Sequence, residues 1–142
     1  MTIAQEQSRL ATISQRYFQA WEACDADAIA LLHAPDTQFW LHTNSEPVRG
    51  REAVRDAFAA IFAQWPEFGF ETYRVLLGED HWVLDWAMTA VLTEASGTRT
   101  PVRFDLLDVV TVNSDGLVLR KDTFVDFPQA VATGAAAHFA QG

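Results

Sequence analysis

The first half of the chain carries apolar residues at the spacing of α-helices. Across residues 4–23 they recur every three or four positions, which puts them on one helical face: Leu10, Ile13, Tyr17, Trp21 and Cys24. Residues 25–27 cap a second helix over residues 28–33, and residues 37–42 alternate as a strand. After a turn cluster at 43–47, a third helix over residues 50–65 carries Phe58 on its apolar face.

The second half of the chain alternates as strands. The pattern predicts four of them, at residues 67–78, 80–94, 99–113 and 116–126, joined by hairpin-like turns. A weak C-terminal helix starts at residues 126–128 and is interrupted by Gly134. Helices followed by an antiparallel sheet indicate an α+β fold, and we expect a single domain over residues 1–142.

The strand at 80–94 is apolar on both of its faces. One face carries Trp82, Leu84 and Trp86, and the other carries Val83, Ala87 and Val91. A second apolar face needs a cover, which predicts a symmetric homodimer through the sheet. The alternative is a C-terminal helix that folds back over this face.

Composition excludes several function classes. The chain has 142 residues and a formal charge of −9, and Lys121 is its only lysine. It has no basic stripe, so we expect neither a nucleic acid nor a membrane surface as a partner. One cysteine allows no internal disulfide, and neither a signal peptide nor a membrane span is visible, which favours a cytoplasmic protein.

An acidic residue interrupts the apolar face of the third predicted strand. Between residues 102 and 112 every even position is apolar except Asp108. Period-two geometry therefore points Asp108 into the interior, where a carboxylate must be paired, hydrogen-bonded or protonated. A bulge that turns it outward, or a structural hydrogen bond, is the alternative. Tyr17 offers a hydroxyl that could bond Asp108 at the base of a cavity, or that could reach the surface.

Two further polar residues have open interpretations. His42, beside Trp40, is either a general base or a polar residue on the outer face. Asp85 lines either the pocket or a dimer interface. The histidines show no ligand spacing, so we expect no metal and no organic cofactor.

Several short segments resemble one known family when they are taken in order. They are residues 15–21 (QRYFQAW), 25–29 (DADAI), 47–54 (PVRGREAV), 107–118 (LDVVTVNSDGLV) and 122–126 (DTFVD). Together they are similar to the SnoaL-like branch of the nuclear transport factor 2-like superfamily. The resemblance implies a cone of three helices on a curved, mostly antiparallel sheet around a pocket, and commonly a dimer.

The resemblance also implies roles for individual positions. Tyr17 and Asp108 match the oxyanion-hole tyrosine and the protonated acid of ketosteroid isomerases. The catalytic base of the ketosteroid isomerases aligns with Leu41 when no gap is allowed. If the alignment is shifted by one residue, the base aligns with His42. The acid/base aspartate of polyketide cyclases matches Thr123 without gaps, and a bulge gives Asp122. The epoxide hydrolases use two aspartates and an arginine. Asp85 and Asp108 could supply the two carboxylates, but the arginine has no counterpart in this chain.

These observations lead to a functional hypothesis. We expect a cofactor-independent isomerase, cyclase or (de)hydratase that acts by acid–base chemistry on a small, mainly apolar molecule. The expected catalytic residues are Asp108, Tyr17, His42 and Asp122, and the expected substrate-binding residues are Trp21, Trp40, Asp85, Phe58 and Phe104. The alternative is a non-catalytic domain that binds a small molecule or another protein.

Overall fold

A computed structural model describes residues 2–43 and 45–139. Its helices are α1 (Ile3–Glu22), α2 (Ala26–Leu31), α3 (Arg51–Gln64), α4 (Phe127–Ala132) and α5 (Ala136–Phe139). Its strands are β1 (His33–His42), β2 (Val48–Arg49), β3 (Gly69–Leu77), β4 (His81–Thr93), β5 (Arg99–Val112) and β6 (Val118–Val125). The mixed α+β fold that the pattern predicts is confirmed.

The six strands form one curved sheet in the order β2-β1-β6-β5-β4-β3. All neighbouring strands are antiparallel except β1 and β6, which run parallel. This pair brings the first strand of the chain next to the last one. Residues 37–42 and 118–125 therefore lie side by side on the sheet although about 80 positions separate them.

Strand β1 begins four residues earlier than the pattern predicts. The second predicted helix includes His33, but α2 ends at Leu31 and β1 starts at His33. Because Pro35 cannot donate a backbone hydrogen bond, the pairing with β6 is irregular between His33 and Gln38. The short strand β2, which the sequence pattern does not predict, pairs with Gln38 and Phe39.

The helices pack on one face of the sheet, which we call the inner face. Helix α1 starts at a capping box made by Thr2 and Gln5, and it buries Leu10, Tyr17 and Trp21. Cys24, which the spacing predicts on this apolar face, lies beyond the end of α1 in a left-handed conformation (φ 52°) and is exposed. Helix α3 buries Val54 and Phe58.

The C-terminal segment lies at the inner side of the sheet. Gly134, with φ +79°, separates α4 from α5 as the sequence predicts. Phe139 of α5 packs against Trp65 and Phe104. On the opposite, outer face, Leu107 and Phe124 remain 37% and 43% exposed. The part of the C-terminal segment that the structure describes therefore leaves these two side chains uncovered.

No helix in the described ranges is both long enough and apolar enough to cross a membrane.

Candidate active site

A cavity lies between the inner face of the sheet and helices α1 and α3, and Phe139 of α5 forms part of its wall. Its walls are mostly aromatic and aliphatic. They are formed by Tyr17, Phe18, Trp21, Phe39, Leu41, Ile61, Trp65, Phe68, Phe70, Trp82, Leu84, Trp86, Met88, Leu106, Asp108, Lys121, Thr123 and Phe139. About 60 Å³ is open to water-sized molecules, which is room for several waters because one needs roughly 10–15 Å³.

Asp108 reaches the cavity because of its position on β5. The even residues of this strand, from Val102 to Val112, are buried, while the odd ones face outward or are half-buried. Asp108 is 2% exposed and lines the cavity wall, which is the orientation that period two predicts. The alternative of an outward-turning bulge is wrong, since β4 and β5 pair without interruption at this point.

Two neighbours on β6 satisfy the carboxylate of Asp108. Lys121 Nζ donates to Oδ2 at 2.9 Å, and Thr123 Oγ1 donates to Oδ1 at 2.8 Å. Antiparallel pairing puts Asp108 directly opposite Thr123, and Lys121 is its diagonal neighbour. Both oxygens therefore accept hydrogen bonds, as expected for an ionised carboxylate that is paired with a cation.

Lys121 is a buried cation within aromatic walls. It is 5% exposed, and its Nζ lies 4.9 Å from the centre of the Trp21 ring and 5.2 Å from that of Tyr17. Burial lowers the pKa of Lys121, but Asp108 and Tyr17 together outweigh this and the net pKa is raised. Lys121 is therefore an ammonium ion at neutral pH.

The expected hydrogen bond between Tyr17 and Asp108 is not present. The Tyr17 hydroxyl is instead 2.9 Å from His33 Nε2, and His33 Nδ1 is 2.8 Å from Thr37 Oγ1. Because β1 starts at His33, this imidazole lies behind the tyrosine, where it competes for the hydroxyl. Burial is the main cause that raises the pKa of Tyr17, and the charge of Lys121, followed by the nearby Trp21, opposes that rise.

Three tryptophans contribute buried donors to the same region. The indole N–H groups of Trp21, Trp82 and Trp86 are buried without a hydrogen bond of normal geometry within the described structure. All three residues line the cavity. Apart from Asp108, the polar groups near the cavity are therefore mainly donors.

His42 and Asp122 lie on the outer face of the sheet. Their imidazole and carboxylate meet at 2.8 Å, and Arg120 donates twice to Asp122, at 2.6 and 3.0 Å. Trp40 and Phe124 stack on His42, each with its ring centre 4.2 Å away. Burial raises the pKa of Asp122, but Arg120 and His42 outweigh it and hold the pKa below its usual range.

Strand register explains this outward placement. Leu41 and Thr123, the positions that match the family residues without gaps, both line the cavity. Their neighbours His42 and Asp122 must then point the other way. The shifted alignments, which bring His42 and Asp122 to the cavity, are therefore not adopted in the fold, and Trp40 shares the outer face with them.

The other predicted binding residues divide between core and surface. Trp21 lines the cavity, whereas Phe58 and Phe104 are fully buried behind its walls, against Trp21 and Trp65 respectively. Asp85 lies on the outer face and pairs with Arg74 at 3.1 Å. This leaves the dimer interface as the remaining interpretation of Asp85.

Sequence reasoning missed Lys121, His33 and Thr37. Lys121 carried a signal, since it is the only lysine in the chain and shares period two with Thr123 on a predicted strand. His33 carried none, because it was assigned to a helix end. No group of three or more His, Cys, Asp or Glu residues in the described ranges could hold a metal ion.

Comparison with known proteins agrees with this architecture. The sequence profile of the SnoaL-like domain matches residues 14–121. The chain belongs to the SnoaL-like domain family. A search of curated proteins returned no match.

Three solved structures illustrate how far the similarity extends. A proposed SnoaL-like polyketide cyclase from Jannaschia sp. CCS1 is 21% identical, with 92% of this chain and 94% of that chain covered and a TM-score of 0.76. SalBIII, an epoxide hydrolase/cyclase-like enzyme of pyran ring formation in salinomycin, is 21% identical, with coverages of 87% and 95% and a TM-score of 0.73. A proposed ketosteroid isomerase from Kribbella flavida is 19% identical, with coverages of 84% and 79% and a TM-score of 0.67. At these identities the SnoaL-like relatives share the fold, and function requires a separate argument.

Proposed function

We propose that this SnoaL-like protein is an enzyme that binds a small, mainly apolar molecule in the aromatic cavity and moves a proton on it. Isomerisation, cyclisation, hydration and dehydration all belong to this class of reaction. The observation that carries the proposal is the buried Lys121–Asp108 pair, which lies 2.9 Å apart in the wall of an otherwise apolar cavity. Such a pair is costly to bury, and perturbed ionisable groups in a cleft favour a functional site.

Lys121 and Tyr17 would stabilise negative charge on a ligand oxygen. The ammonium nitrogen lies 5.2 Å from the centre of the Tyr17 ring, and both residues line the cavity, so a ligand oxygen that enters near both groups could accept a hydrogen bond from each. Prearranged donors in a dry site stabilise a developing oxyanion strongly, and losing one such donor typically costs about 10²–10³-fold in rate.

Asp108 would take the proton. Its carboxylate faces the cavity, and a ligand that draws Lys121 toward its own oxygen weakens the hold of the ammonium on Asp108. Asp108 on β5 and Lys121 on β6 could then act on one carbonyl compound. The carboxylate would remove a proton from the carbon next to the carbonyl, and the ammonium would hold the carbonyl oxygen.

The cavity favours a mainly apolar ligand with one or more acceptor oxygens. Asp108 and Lys121 cancel each other in charge, the walls are aromatic, and the remaining polar groups are mainly donors. The cavity leaves about 60 Å³ for water-sized molecules, which favours compact ligands. Small ketones are therefore the suitable first probes.

Deuterium exchange tests the proposed chemistry directly. 2-Indanone in D₂O exchanges the protons next to its carbonyl, and NMR follows the loss of their signal. We expect the protein to accelerate this exchange, and we expect D108N to lower the rate by about 100-fold or more, since a positioned base contributes roughly 10²–10⁴-fold. K121M should reduce the rate as well.

D122N is the matched control, because Asp122 is a carboxylate on the neighbouring strand that faces away from the cavity. Its rate should stay within about twofold of wild type. Equal rates for D108N and wild type contradict the assignment of the base.

One observation favours the non-catalytic alternative. Leu41, which lines the cavity at the position that the resemblance gives to the isomerase base, cannot carry a proton. Binding of 2-indanone, seen as quenching of tryptophan fluorescence, without any acceleration of exchange supports this alternative over the proposed enzyme.

A further inference from the structure

A buried chain of three polar groups runs from the cavity wall into the core. Tyr17 Oη is 2.9 Å from His33 Nε2, and His33 Nδ1 is 2.8 Å from Thr37 Oγ1. The three residues are 1%, 0% and 0% exposed. Lys121 and Trp21 also lie close enough to the Tyr17 hydroxyl to donate to it. The tyrosine, the imidazole and the threonine are linked to one another by two hydrogen bonds.

His33 is neutral in this chain. Burial is the main cause that lowers the pKa of His33 to about 3, and the nearby charges of Lys121 and Arg51 add to it. Arg51 donates to the backbone oxygen of His33 from two nitrogens, at 2.9 and 2.5 Å, which keeps its guanidinium beside the ring. A neutral imidazole carries one N–H, on one nitrogen only.

Counting protons then leaves two arrangements. The two hydroxyls and the imidazole hold three protons, but only two can lie in the hydrogen bonds between them. With the proton on Nδ1, His33 donates to Thr37, Tyr17 donates to Nε2, and the Thr37 proton is left over. With the proton on Nε2, Thr37 donates to Nδ1, His33 donates to Tyr17, and the Tyr17 proton is left over.

The two ends of the chain are not equivalent. Thr37 is fully buried, and among the described residues its hydroxyl bonds only to His33, so a spare proton there would be left without an acceptor, which is unfavourable. The Tyr17 end borders the cavity, where an acceptor can enter. Its polar neighbours Lys121 and Trp21 are donors only and cannot accept the proton.

We infer that Thr37 and His33 are positioning residues: they hold His33 as its Nε2–H tautomer and thereby reserve the Tyr17 hydroxyl proton for an acceptor oxygen of the ligand. The ligand is consequently one that presents a carbonyl, enolate or phenolate oxygen at Tyr17. This role rests on the proposed function, which uses the same cavity and the same tyrosine, and it adds two positioning residues behind the cavity wall.

Nitrogen NMR of the intact protein tests the tautomer. The chain has four histidines, and labelling them with ¹⁵N while comparing wild type with H33Q assigns the His33 signals. We expect a protonated Nε2 and an unprotonated, hydrogen-bond-accepting Nδ1 at neutral pH. A protonated Nδ1 overturns the inference.

Binding of two matched probes tests the consequence. 4-Nitrophenolate carries a phenolate oxygen that accepts hydrogen bonds. Nitrobenzene has the same ring and nitro group but lacks the phenolate oxygen. We expect T37V to weaken 4-nitrophenolate binding about tenfold while nitrobenzene binding is unchanged, since a hydrogen bond to a charged group is worth about 1.5–3 kcal/mol and 1.4 kcal/mol is tenfold. T37S should restore the affinity, and Y17F should lose at least as much as T37V.

T111V is the matched control, because Thr111 lies on β5 at a position that faces away from the cavity. If T37V retains wild-type affinity for 4-nitrophenolate, or loses affinity for both probes equally, the positioning role is wrong. If the wild type itself shows no preference for 4-nitrophenolate, the charge-stabilising site of the proposed function fails as well. The two failures are therefore distinguishable.

Discussion

A single lysine and a single aspartate carry most of the proposed chemistry. Taking both charges out of water is expensive, and a direct contact plus further hydrogen bonds must offset the cost. Here Lys121 is 2.9 Å from Asp108, and Thr123 occupies the other carboxylate oxygen at 2.8 Å. The ring of Trp21 beneath the ammonium adds a favourable contact. The pair is therefore held in one geometry before any ligand binds.

The neutral His33 predicts a pH dependence of stability. Its pKa is about 3 in the fold against 6.5 for the unfolded chain, so the unfolded state takes up the proton first as the pH falls. The contribution of His33 to the free energy of unfolding is therefore complete above pH 6.5 and is lost progressively as the pH falls toward 3. Between pH 7 and pH 4 the loss amounts to about 3 kcal/mol, at 1.36 kcal/mol per pKa unit.

Urea unfolding of wild type and H33Q across this range measures the effect. Glutamine does not titrate, so the free energy of unfolding of H33Q should fall less steeply between pH 7 and pH 4 than that of wild type. Parallel curves for the two proteins would show that protonation of His33 does not contribute.

At the scale of elements, the β5–β6 turn depends on a glycine. Gly116 has φ +79°, and a Cβ there would lie 3.1 Å from Ile13 Cδ1 and 3.2 Å from a guanidinium nitrogen of Arg9. That guanidinium in turn donates to the Ser114 carbonyl at 2.9 Å, which ties α1 to the turn. The turn sets the register of β5 against β6, and this register brings Asp108 to Lys121.

We expect G116A to destabilise the fold more than G97A. Gly97 also has positive φ, at +86°, but a Cβ there meets nothing within 4 Å. G97A should cost about 1 kcal/mol, the strain of a left-handed residue, and G116A about 2 kcal/mol or more because its Cβ also crowds α1. Urea unfolding of both variants compares them, and equal losses contradict a packing role for the turn.

For the whole molecule, the outer face of the sheet carries an exposed apolar patch that bears on oligomeric state. Leu107 and Phe124 are direct partners across β5 and β6, and both are more than a third exposed. Asp85 and His42 flank them in the same row, at Leu107 and Phe124 respectively. We propose that a second copy of the chain covers this apolar patch, as the two-faced strand β4 suggests.

Light scattering of L107E tests the dimer. Two opposed glutamates in a twofold interface repel each other, so we expect wild type at twice 15.8 kDa and L107E at 15.8 kDa. L31E is the control, since Leu31 is 69% exposed on α2 and should not affect assembly. A wild-type monomer contradicts the proposed interface.

The sequence by itself determined the long elements and the side-chain direction along most of them. The spacing of apolar residues was sufficient for α1, α3 and the four long strands, because burial of one helical or sheet face imposes that period. The same period predicted that Asp108 points inward. It also gives the inward direction of Lys121 and Thr123 on β6, although the sequence offered no reason to pair them with Asp108.

Only the tertiary structure decided which groups meet. Lys121 reaches Asp108 through the register of β5 against β6, and Tyr17 meets His33 because β1 begins four residues early and parallel to β6. Period two cannot distinguish two registers that differ by one residue, so His42 and Asp122 could be assigned to the cavity until the strands were paired. Hydrogen-bond partners that lie many residues apart depend on this pairing, and for that reason the candidate site required the fold.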